Sequence, residues 1–185
     1  MADTPEHSTL PLPAFDGPVR LLIVCAPYYR RIADALIAGA RATAAQAGAT
    51  VDLVEVPGAL EIPPAIGLAA GSGRYDGFVA LGCVIRGETS HYDTVCNDSS
   101  RGLMELGLTG LAIGNGILTV ETTAQAEVRA DPAGQDKGGG AAAAALHLIA
   151  LARRFHGRSV RSDRRPARDR DPLRLAGDLD GTTRS

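Results

Sequence analysis

Residues 82–91 combine the residue types and the spacing that most clearly suggest chemistry. They read Gly-Cys-Val-Ile-Arg-Gly-Glu-Thr-Ser-His, so an apolar run is followed by a short polar turn and then by the expected start of a helix. Gly87 lets the backbone approach a ligand closely, Thr89 and Ser90 can cap the helix, and free N–H groups at a helix N-terminus favour an anion. An ordinary capped turn, with His91 in a structural role, fits the spacing equally well.

Residues 57–64, Pro-Gly-Ala-Leu-Glu-Ile-Pro-Pro, place a carboxylate among apolar residues. Glu61 follows a predicted strand and begins a predicted helix, where the helix dipole stabilises an acidic side chain; this is the structural interpretation. Carboxylates are seldom buried without a partner. The apolar neighbours therefore favour a functional interpretation, in which Glu61 binds hydroxyl or amine groups of a substrate.

Three further positions could contact a ligand. Tyr28 follows the first apolar run, where its ring can stack on a planar molecule or pack in the core. Asn115, between Gly114 and Gly116, adds an amide to what we predict to be a loop after the fourth strand, with a tight turn as the alternative. Lys137 is the only lysine of the chain, so a Schiff base to an enzyme amine would have to use it.

The spacing of cysteines and histidines argues against metal and thiol chemistry. Cys25, Cys83 and Cys96 form no CxxC pair, and the four histidines show no zinc-binding spacing. A thiol nucleophile at Cys83 or Cys96 beside His91 has no local signature, and Cys83 falls within a predicted strand. We therefore expect no metal site.

The composition is that of a globular protein with one domain. Of the 185 residues, 45% are hydrophobic and 22% are charged, and the net charge is −2. A net charge this small does not indicate nucleic acid or an anionic membrane as a partner. The apolar stretches are shorter than the roughly 20 residues of a membrane span, and residues 1–13 lack the pattern of a signal peptide. We expect a cytoplasmic protein.

Strand and helix signals alternate along the chain, which positions these residues. The predicted strands cover residues 20–25, 50–56, 77–85 and 108–113, and the predicted helices cover 30–47, 60–70, 91–106, 122–129 and 137–155. Strands that are apolar on both faces and separated by helices indicate a parallel sheet inside a three-layer α/β/α domain. Ligands bind at the carboxyl ends of such strands, so the loops of interest are 26–30, 56–62, 85–91 and 114–121.

Both ends of the chain differ in composition from the domain between them. Residues 1–13 predict a flexible extension, and residues 158–185 hold eight Arg and five Asp with few apolar residues. Such a segment cannot bury enough apolar surface to offset its ordering entropy, so we expect a disordered tail. A nucleic-acid-binding or partner-binding arm is the alternative, which the interspersed Asp residues and the lack of aromatic residues disfavour.

Four segments together resemble the lumazine synthase (6,7-dimethyl-8-ribityllumazine synthase) family. They are residues 57–63, residues 82–96, residues 115–119 with the sequence Asn-Gly-Ile-Leu-Thr, and residues 136–138 with the sequence Asp-Lys-Gly, and they occur in the family's order. The likeness runs from about Val19 to Phe155, within a domain that we place at 14–157. It implies a flavodoxin-like fold with a central four-stranded parallel sheet. Family members usually end near Phe155, so the tail is a departure.

The resemblance also implies a reaction and an assembly. The reaction would condense 5-amino-6-(D-ribitylamino)uracil with 3,4-dihydroxy-2-butanone 4-phosphate to the lumazine, with loss of phosphate and water and without a metal or organic cofactor. The partners would be these small molecules and other copies of the chain, with no nucleic acid and no membrane. The active sites would lie between adjacent subunits of a pentamer, or of a decamer or 60-subunit shell, with residues 14–19 pairing with a neighbour's sheet.

By resemblance, the site residues fall into groups that bind different parts of the substrates. His91 would transfer protons. The aromatic Tyr28 would stack on the pyrimidine, in a position where Phe or Trp is frequent. The ribityl chain would contact Ala59, Leu60 and Glu61; the pyrimidine would also contact Cys83, Val84, Ile85 and a neighbour's Asn115; the phosphate would contact Gly87, Glu88, Thr89 and Arg129, with Lys137 near the site.

Two other classes of function stay open at this point. One is a lumazine- or flavin-binding relative that keeps the fold without turnover. A phosphate-binding Arg129 beside His91 favours the enzyme, because a carrier needs neither. The other is a thiol hydrolase that uses Cys83 or Cys96, for which the sequence offers no local support.

Overall fold

The structure, a computed structural model, describes residues 10–162, with side chains up to residue 155. Four strands are present in this part of the chain: β1 (Arg20–Cys25), β2 (Thr50–Glu55), β3 (Gly77–Ile85) and β4 (Ile113–Val120). The helices are α1 (Arg30–Gln46), α2 (Ile62–Ala70), α3 (His91–Leu108), α4 (Thr123–Ala130) and α5 (Lys137–Ser162), and a 3₁₀ turn, Ala59–Glu61, precedes α2. None of the helices within residues 10–162 has the length and apolarity to cross a membrane.

The four strands form one parallel sheet in the order β2-β1-β3-β4. Helices α1, α4 and α5 pack together against one face, and α2 and α3 pack together against the other. The predicted three-layer α/β/α architecture with a central four-stranded parallel sheet is therefore confirmed. The strand order is that of flavodoxin-like folds, in which ligands bind beyond the carboxyl ends of the strands.

Alternation along β1 shows why the sheet is covered on both faces. Leu21 and Ile23 are buried in the cluster under α1 and α5, while Leu22 and Val24 are buried in the cluster under α2 and α3. Side chains of a strand point alternately to opposite faces, so a continuous apolar run serves two cores at once. This arrangement leaves the strand ends, rather than the faces, for a ligand.

Glycines allow the backbone of α5 to pack directly against the backbones of β4 and α1. A Cβ atom at Gly114 of β4 would collide with the carbonyl group of Ala141, and one at Gly138 would collide with the carbonyl group of Leu36 on α1. These positions accept no side chain because protein interiors are close-packed. The close packing sets where Lys137, the first residue of α5, lies along the edge of the sheet.

The fourth strand differs from the prediction. The structure ends α3 at Leu108 and begins β4 at Ile113, so the predicted strand 108–113 is wrong, and the predicted loop 114–121 is mostly strand. Gly110, at φ +100°, forms the turn that separates the two elements. Gly114 and Gly116 suggested a loop, but they are small because α5 lies directly on β4. Asn115 is therefore on a strand and not in a loop.

The two ends of the described chain differ from the prediction in one boundary. The last helix continues to Ser162, beyond the predicted end at residue 155. Most of the predicted flexible extension (residues 1–9 of 1–13) and of the predicted disordered tail (residues 163–185 of 158–185) lies outside the described residues. Residues 10–19 contain neither helix nor strand in the structure.

Candidate active site

A cavity of about 550 Å³ opens at the carboxyl ends of β1 and β3. Its walls come from the residues after β1, from the 3₁₀ turn Ala59–Glu61, and from the turn that leads into α3. The volume lies within the usual range of small-molecule sites. Three of the four loops of interest, 26–30, 56–62 and 85–91, meet here because the carboxyl ends of parallel strands lie at one edge of the sheet.

Most of the residues that the sequence singled out line this cavity. They are Tyr28, Ala59, Leu60, Glu61, Cys83, Val84, Ile85, Gly87, Thr89 and His91. Glu88, in the same turn, is exposed and does not line it. Glu61 and His91, which are 30 positions apart in sequence, therefore share one cavity.

Sequence reasoning missed several lining residues. Tyr29, Pro57, Gly58, Tyr92 and Val95 also face the cavity. Val95 lies four residues after His91 and therefore on the same face of α3, a helical spacing that could have identified it. Tyr92 and Tyr29 are neighbours of predicted residues, but nothing in the pattern distinguished them from core residues.

The cavity floor is apolar, and the cysteine in it and the other two cysteines are unreactive. Cys83 is buried, and burial raises the pKa of its thiol to about 11. Burial likewise raises the pKa of Cys25 to about 12 and moves the pKa of Cys96 above its ordinary value. The thiolate is the nucleophilic form, so none of the three cysteines is activated near neutral pH. The raised pKa values of the three thiols disfavour the thiol-hydrolase alternative.

Tyr28 forms an exposed aromatic wall at one side of the cavity. Its side chain is 77% exposed, so packing in the core, the alternative interpretation, is excluded. The ring meets Tyr29 edge to face, with 5.0 Å between the centroids. An aromatic ring held in this way can accept a planar ligand on its free face.

Glu61 stands at the mouth of the cavity. Its side chain is exposed, so its apolar neighbours in sequence do not bury the carboxylate. The carboxylate bends back over Gly58, where an added Cβ atom would come within 2.9 Å of Oε2. The oxygens remain accessible from the cavity, where they can accept hydrogen bonds from hydroxyl groups.

Residues 86–91 form an exposed turn that ends at the N-terminus of α3. Ser90 occupies the N-cap position, but its hydroxyl does not accept a hydrogen bond from the first turn, so the predicted side-chain cap is wrong. The N–H groups at the start of a helix have no intrahelical acceptor. Here they adjoin the cavity that Gly87, Thr89 and His91 line, where they can bind an anion.

The three remaining predicted residues lie elsewhere. Asn115, Arg129 and Lys137 line a separate depression of about 320 Å³ around the edge strand β4, between α4 and α5, and none of them lines the first cavity. Arg129 donates a hydrogen bond to the Gln125 carbonyl (3.1 Å), and the Asn115 side chain accepts one from the Ile117 N–H (2.9 Å). Within the single chain, the predicted site residues are therefore divided between two surfaces.

The donor groups in and around the cavity do not form a metal centre. Within residues 10–155, no group of three or more His, Cys, Asp or Glu side chains is close enough together to hold a metal ion. The chemistry available to the cavity is hydrogen bonding, aromatic stacking, anion binding and proton transfer.

Comparisons with known proteins point to one family. The family model described as 6,7-dimethyl-8-ribityllumazine synthase matches residues 18–153. The chain is similar to proteins of that name from Jannaschia sp. (strain CCS1), with 58% identity over 150 residues (81% of this chain and 84% of that protein), and from Novosphingobium aromaticivorans, with 57% identity over 136 residues (74% and 98%). It is also 55% identical over 144 residues to 6,7-dimethyl-8-ribityllumazine synthase 1 of Rhizobium meliloti (75% and 94%).

Proposed function

The chain belongs to the 6,7-dimethyl-8-ribityllumazine synthase family, and we propose that the cavity bounded by Tyr28, Glu61 and His91 is the main part of its active site. The enzyme is a transferase of riboflavin biosynthesis. It condenses 5-amino-6-(D-ribitylamino)uracil with 3,4-dihydroxy-2-butanone 4-phosphate to 6,7-dimethyl-8-ribityllumazine, phosphate and water. One observation supports the site above the others: a single cavity brings together an aromatic ring, a carboxylate, a helix N-terminus and a histidine.

The ribitylaminouracil binds between the Tyr28 ring and the end of β3. Stacking on Tyr28 holds the flat pyrimidine. Cys83, Val84 and Ile85, the last residues of β3, provide an apolar floor with backbone groups at its rim. The ribityl chain lies along the 3₁₀ turn that contains Ala59 and Leu60. The Glu61 carboxylate accepts hydrogen bonds from its hydroxyl groups. This end of the cavity fixes the orientation of the substrate amine.

The butanone phosphate binds at the turn that precedes α3. The turn Gly87-Glu88-Thr89 surrounds the phosphate, with Gly87 and Thr89 facing it and the Glu88 side chain directed away, and the open N–H groups at the start of α3 donate to its oxygens. His91, the first residue of α3, moves protons during imine formation and phosphate loss. The nucleophilic amine belongs to the substrate, so an enzyme amine is not needed. Much of the rate comes from holding amine and ketone together.

A second subunit completes the site. Asn115, Arg129 and Lys137 do not line the cavity of their own chain, and we assign them to the cavity of an adjacent copy. Arg129 then adds a guanidinium to the phosphate, the geometry that suits this group. An interface that joins two different surfaces repeats around a ring until it closes, so a pentamer, or a multiple of pentamers, accommodates the arrangement.

Exposed apolar side chains support this assembly. Leu68 on α2 and Leu108 on α3 are 84% and 81% exposed in the single chain, and Met104 on α3 is 64% exposed. Large apolar side chains exposed on two neighbouring helices are the kind of surface that contacts between chains cover. We propose that the partners are the two small-molecule substrates and further copies of this chain, and that the enzyme works in the cytoplasm, where its free cysteines stay reduced.

The reaction itself is tested by mixing the purified protein with the two substrates. We expect the absorbance of the lumazine product to appear, together with stoichiometric release of inorganic phosphate. The carrier alternative predicts binding of the product without its formation. Omission of either substrate is the control.

The two-subunit site is tested by subunit complementation. We expect co-expressed His91→Ala and Arg129→Ala chains, assayed at low butanone phosphate, to regain about a quarter of wild-type activity, because random pairing in a ring makes about one in four sites intact. Each variant alone gives the baseline. Wild-type chains mixed with the double variant are the matched control, with about one quarter expected for a shared site and about one half for a site within one chain. No recovery above the baseline would contradict the shared site.

A further inference from the structure

Arg86 has no assigned role in the site, yet its side chain contacts residues from two other parts of the chain. Its Nε lies 2.9 Å from Glu121 Oε2, its Nη2 lies 3.1 Å from Asp93 Oδ1, and its Cζ lies 4.0 Å from the centroid of the Tyr92 ring. The backbone N–H of Arg86 also donates to the Val120 carbonyl (2.9 Å). One side chain thus joins the end of β3, the first turn of α3 and the end of β4.

These contacts define what Arg86 can and cannot do. Two carboxylates neutralise its guanidinium, and a tyrosine ring covers one face, so the group is not a free phosphate ligand. Partly exposed ion pairs contribute little to stability by themselves. The planar fork, however, bonds two carboxylates in fixed directions while it stacks on a ring, which a lysine cannot do. The role of Arg86 is therefore geometric.

The contacts continue from Glu121 to Arg129. The Glu121 backbone N–H donates to Gln125 Oε1 (2.9 Å), and the Gln125 carbonyl accepts from Arg129 Nη1 (3.1 Å). The Thr122 hydroxyl accepts from the Gln125 N–H (3.3 Å) and caps α4. The side chain of Arg86 is thus connected to the Arg129 guanidinium, which lies on the other surface. The connection runs through Glu121 and then through Gln125.

We propose that Arg86 is a positioning residue that holds the turn 87–90 of its own cavity and, through Glu121 and Gln125, orients Arg129 for the cavity of the adjacent subunit. The inference rests on the proposed function, because it takes Arg129 as the phosphate ligand of that adjacent site. It adds a residue that touches neither substrate and that connects part of the phosphate site of its own chain with the part of the next site that the same chain supplies.

Steady-state kinetics with each substrate varied separately tests the proposal. Glu121→Gln should raise the KM for the butanone phosphate about 10-fold, while the KM for the ribitylaminouracil stays unchanged. Arg86→Ala should raise the same KM at least as much and also lower kcat, because the turn before His91 loses its anchor. A purely structural role would change both KM values together, or neither of them.

A double-mutant comparison shows whether the effect passes through Arg129. If it does, Glu121→Gln adds little to Arg129→Ala, whereas independent effects multiply. The matched control is Arg74→Ala, because Arg74 pairs with Asp52 at 3.9 Å and lies 5.5 Å from the Tyr75 ring, at the opposite end of the sheet. We expect this variant to keep wild-type kinetics.

The outcomes separate this proposal from the proposed function. If Arg129→Ala raises the KM for the butanone phosphate but Arg86→Ala and Glu121→Gln do not, the positioning role is wrong and the two-subunit site stands. If Arg129→Ala itself leaves that KM unchanged, both are overturned. Should Arg86→Ala fail to fold, Arg86→Lys and Glu121→Gln decide: the expected result is a raised KM in each, and wild-type kinetics in both would overturn the proposal.

Discussion

The two ends of the sheet use similar residues in opposite ways. At the carboxyl end, Glu61 and His91 are exposed around a cavity, and the start of α3 has no side-chain cap. At the amino end, charged groups meet each other: Asp52 accepts hydrogen bonds from Tyr75 (2.9 Å) and Arg20 (2.8 Å). Polar groups that are paired within the chain stabilise it, and polar groups left open can bind a ligand.

The amino end also anchors the segment before β1. Arg153 of α5 bonds Asp76 (3.0 Å) and the Pro18 carbonyl (2.8 Å), and its guanidinium lies 5.3 Å from the Phe15 ring. These contacts connect elements far apart in sequence. The carboxyl end also has ion pairs, of Arg30 with Glu55 and of Arg86 with Asp93 and Glu121, and the role proposed for Arg86 is to shape the site. Substitutions at the carboxyl end of the sheet are therefore expected to change the kinetics, and substitutions at the amino end are expected to change the stability.

The largest effect is expected at His91. His91→Ala should lower kcat about 100-fold without abolishing turnover, because proton transfer by a side chain contributes that order while the bound substrates stay together. Stopped-flow or steady-state assays of lumazine formation measure it. The melting temperature should stay unchanged, since the side chain is exposed. A variant with full activity would remove His91 from the chemistry.

The next effect is expected at Arg129. Arg129→Ala should raise the KM for the butanone phosphate about 30-fold, since a charge-assisted hydrogen bond contributes about 2 kcal/mol, and leave the KM for the ribitylaminouracil near its normal value. The separate KM values decide. Arg129→Lys, which keeps the charge and loses the fork, should lie between the two. An unchanged KM in Arg129→Ala would count against the phosphate role.

A smaller effect is expected at Tyr28. Tyr28→Ala should raise the KM for the ribitylaminouracil about 10-fold, because stacking of a base on an aromatic ring contributes about 1–3 kcal/mol. Tyr28→Phe is the matched control and should behave as the wild type, since the ring and not the hydroxyl makes the contact. Equal kinetics in Tyr28→Ala and Tyr28→Phe would show that stacking is absent.

The smallest effect is expected at the amino end. Hydrogen bonds from Tyr75 and Arg20 lower the pKa of Asp52 below its usual range. A carboxyl with a lowered folded-state pKa stabilises the fold above its unfolded pKa of about 3.9, and this contribution is lost as the pH falls through the folded-state value. Thermal melts should therefore show Asp52→Asn slightly less stable than the wild type at pH 7, with the difference shrinking below about pH 4.

Kinetics provides the control for this last prediction. Asp52→Asn should leave kcat and both KM values unchanged, in contrast to every substitution at the cavity. A changed KM would show that the two ends of the sheet are not separate in function. A stability difference that persisted undiminished in acid would show that the ion pair is not its source.

Much of the fold could be predicted from local patterns. The bounds of β1 and β3 agree with the prediction, because each is a continuous apolar run closed by proline, glycine or polar residues. The same patterns placed Glu61 and His91 after strands whose carboxyl ends meet, which is why they reach one cavity. The fourth strand was misplaced, because its glycines are required by α5 and only imitate a loop.

Sequence patterns were sufficient to predict the alternation of strands and helices, the parallel sheet and the motifs at its carboxyl end, since these depend on neighbouring residues and on periodicity. Tertiary structure alone decided which side chains pair over long separations. Arg86 and Glu121 are 35 positions apart, and they meet because β3 and β4 are hydrogen-bonded in one register. Tertiary structure also put Asn115, Arg129 and Lys137 around the outer edge of β4, away from the cavity of their own chain.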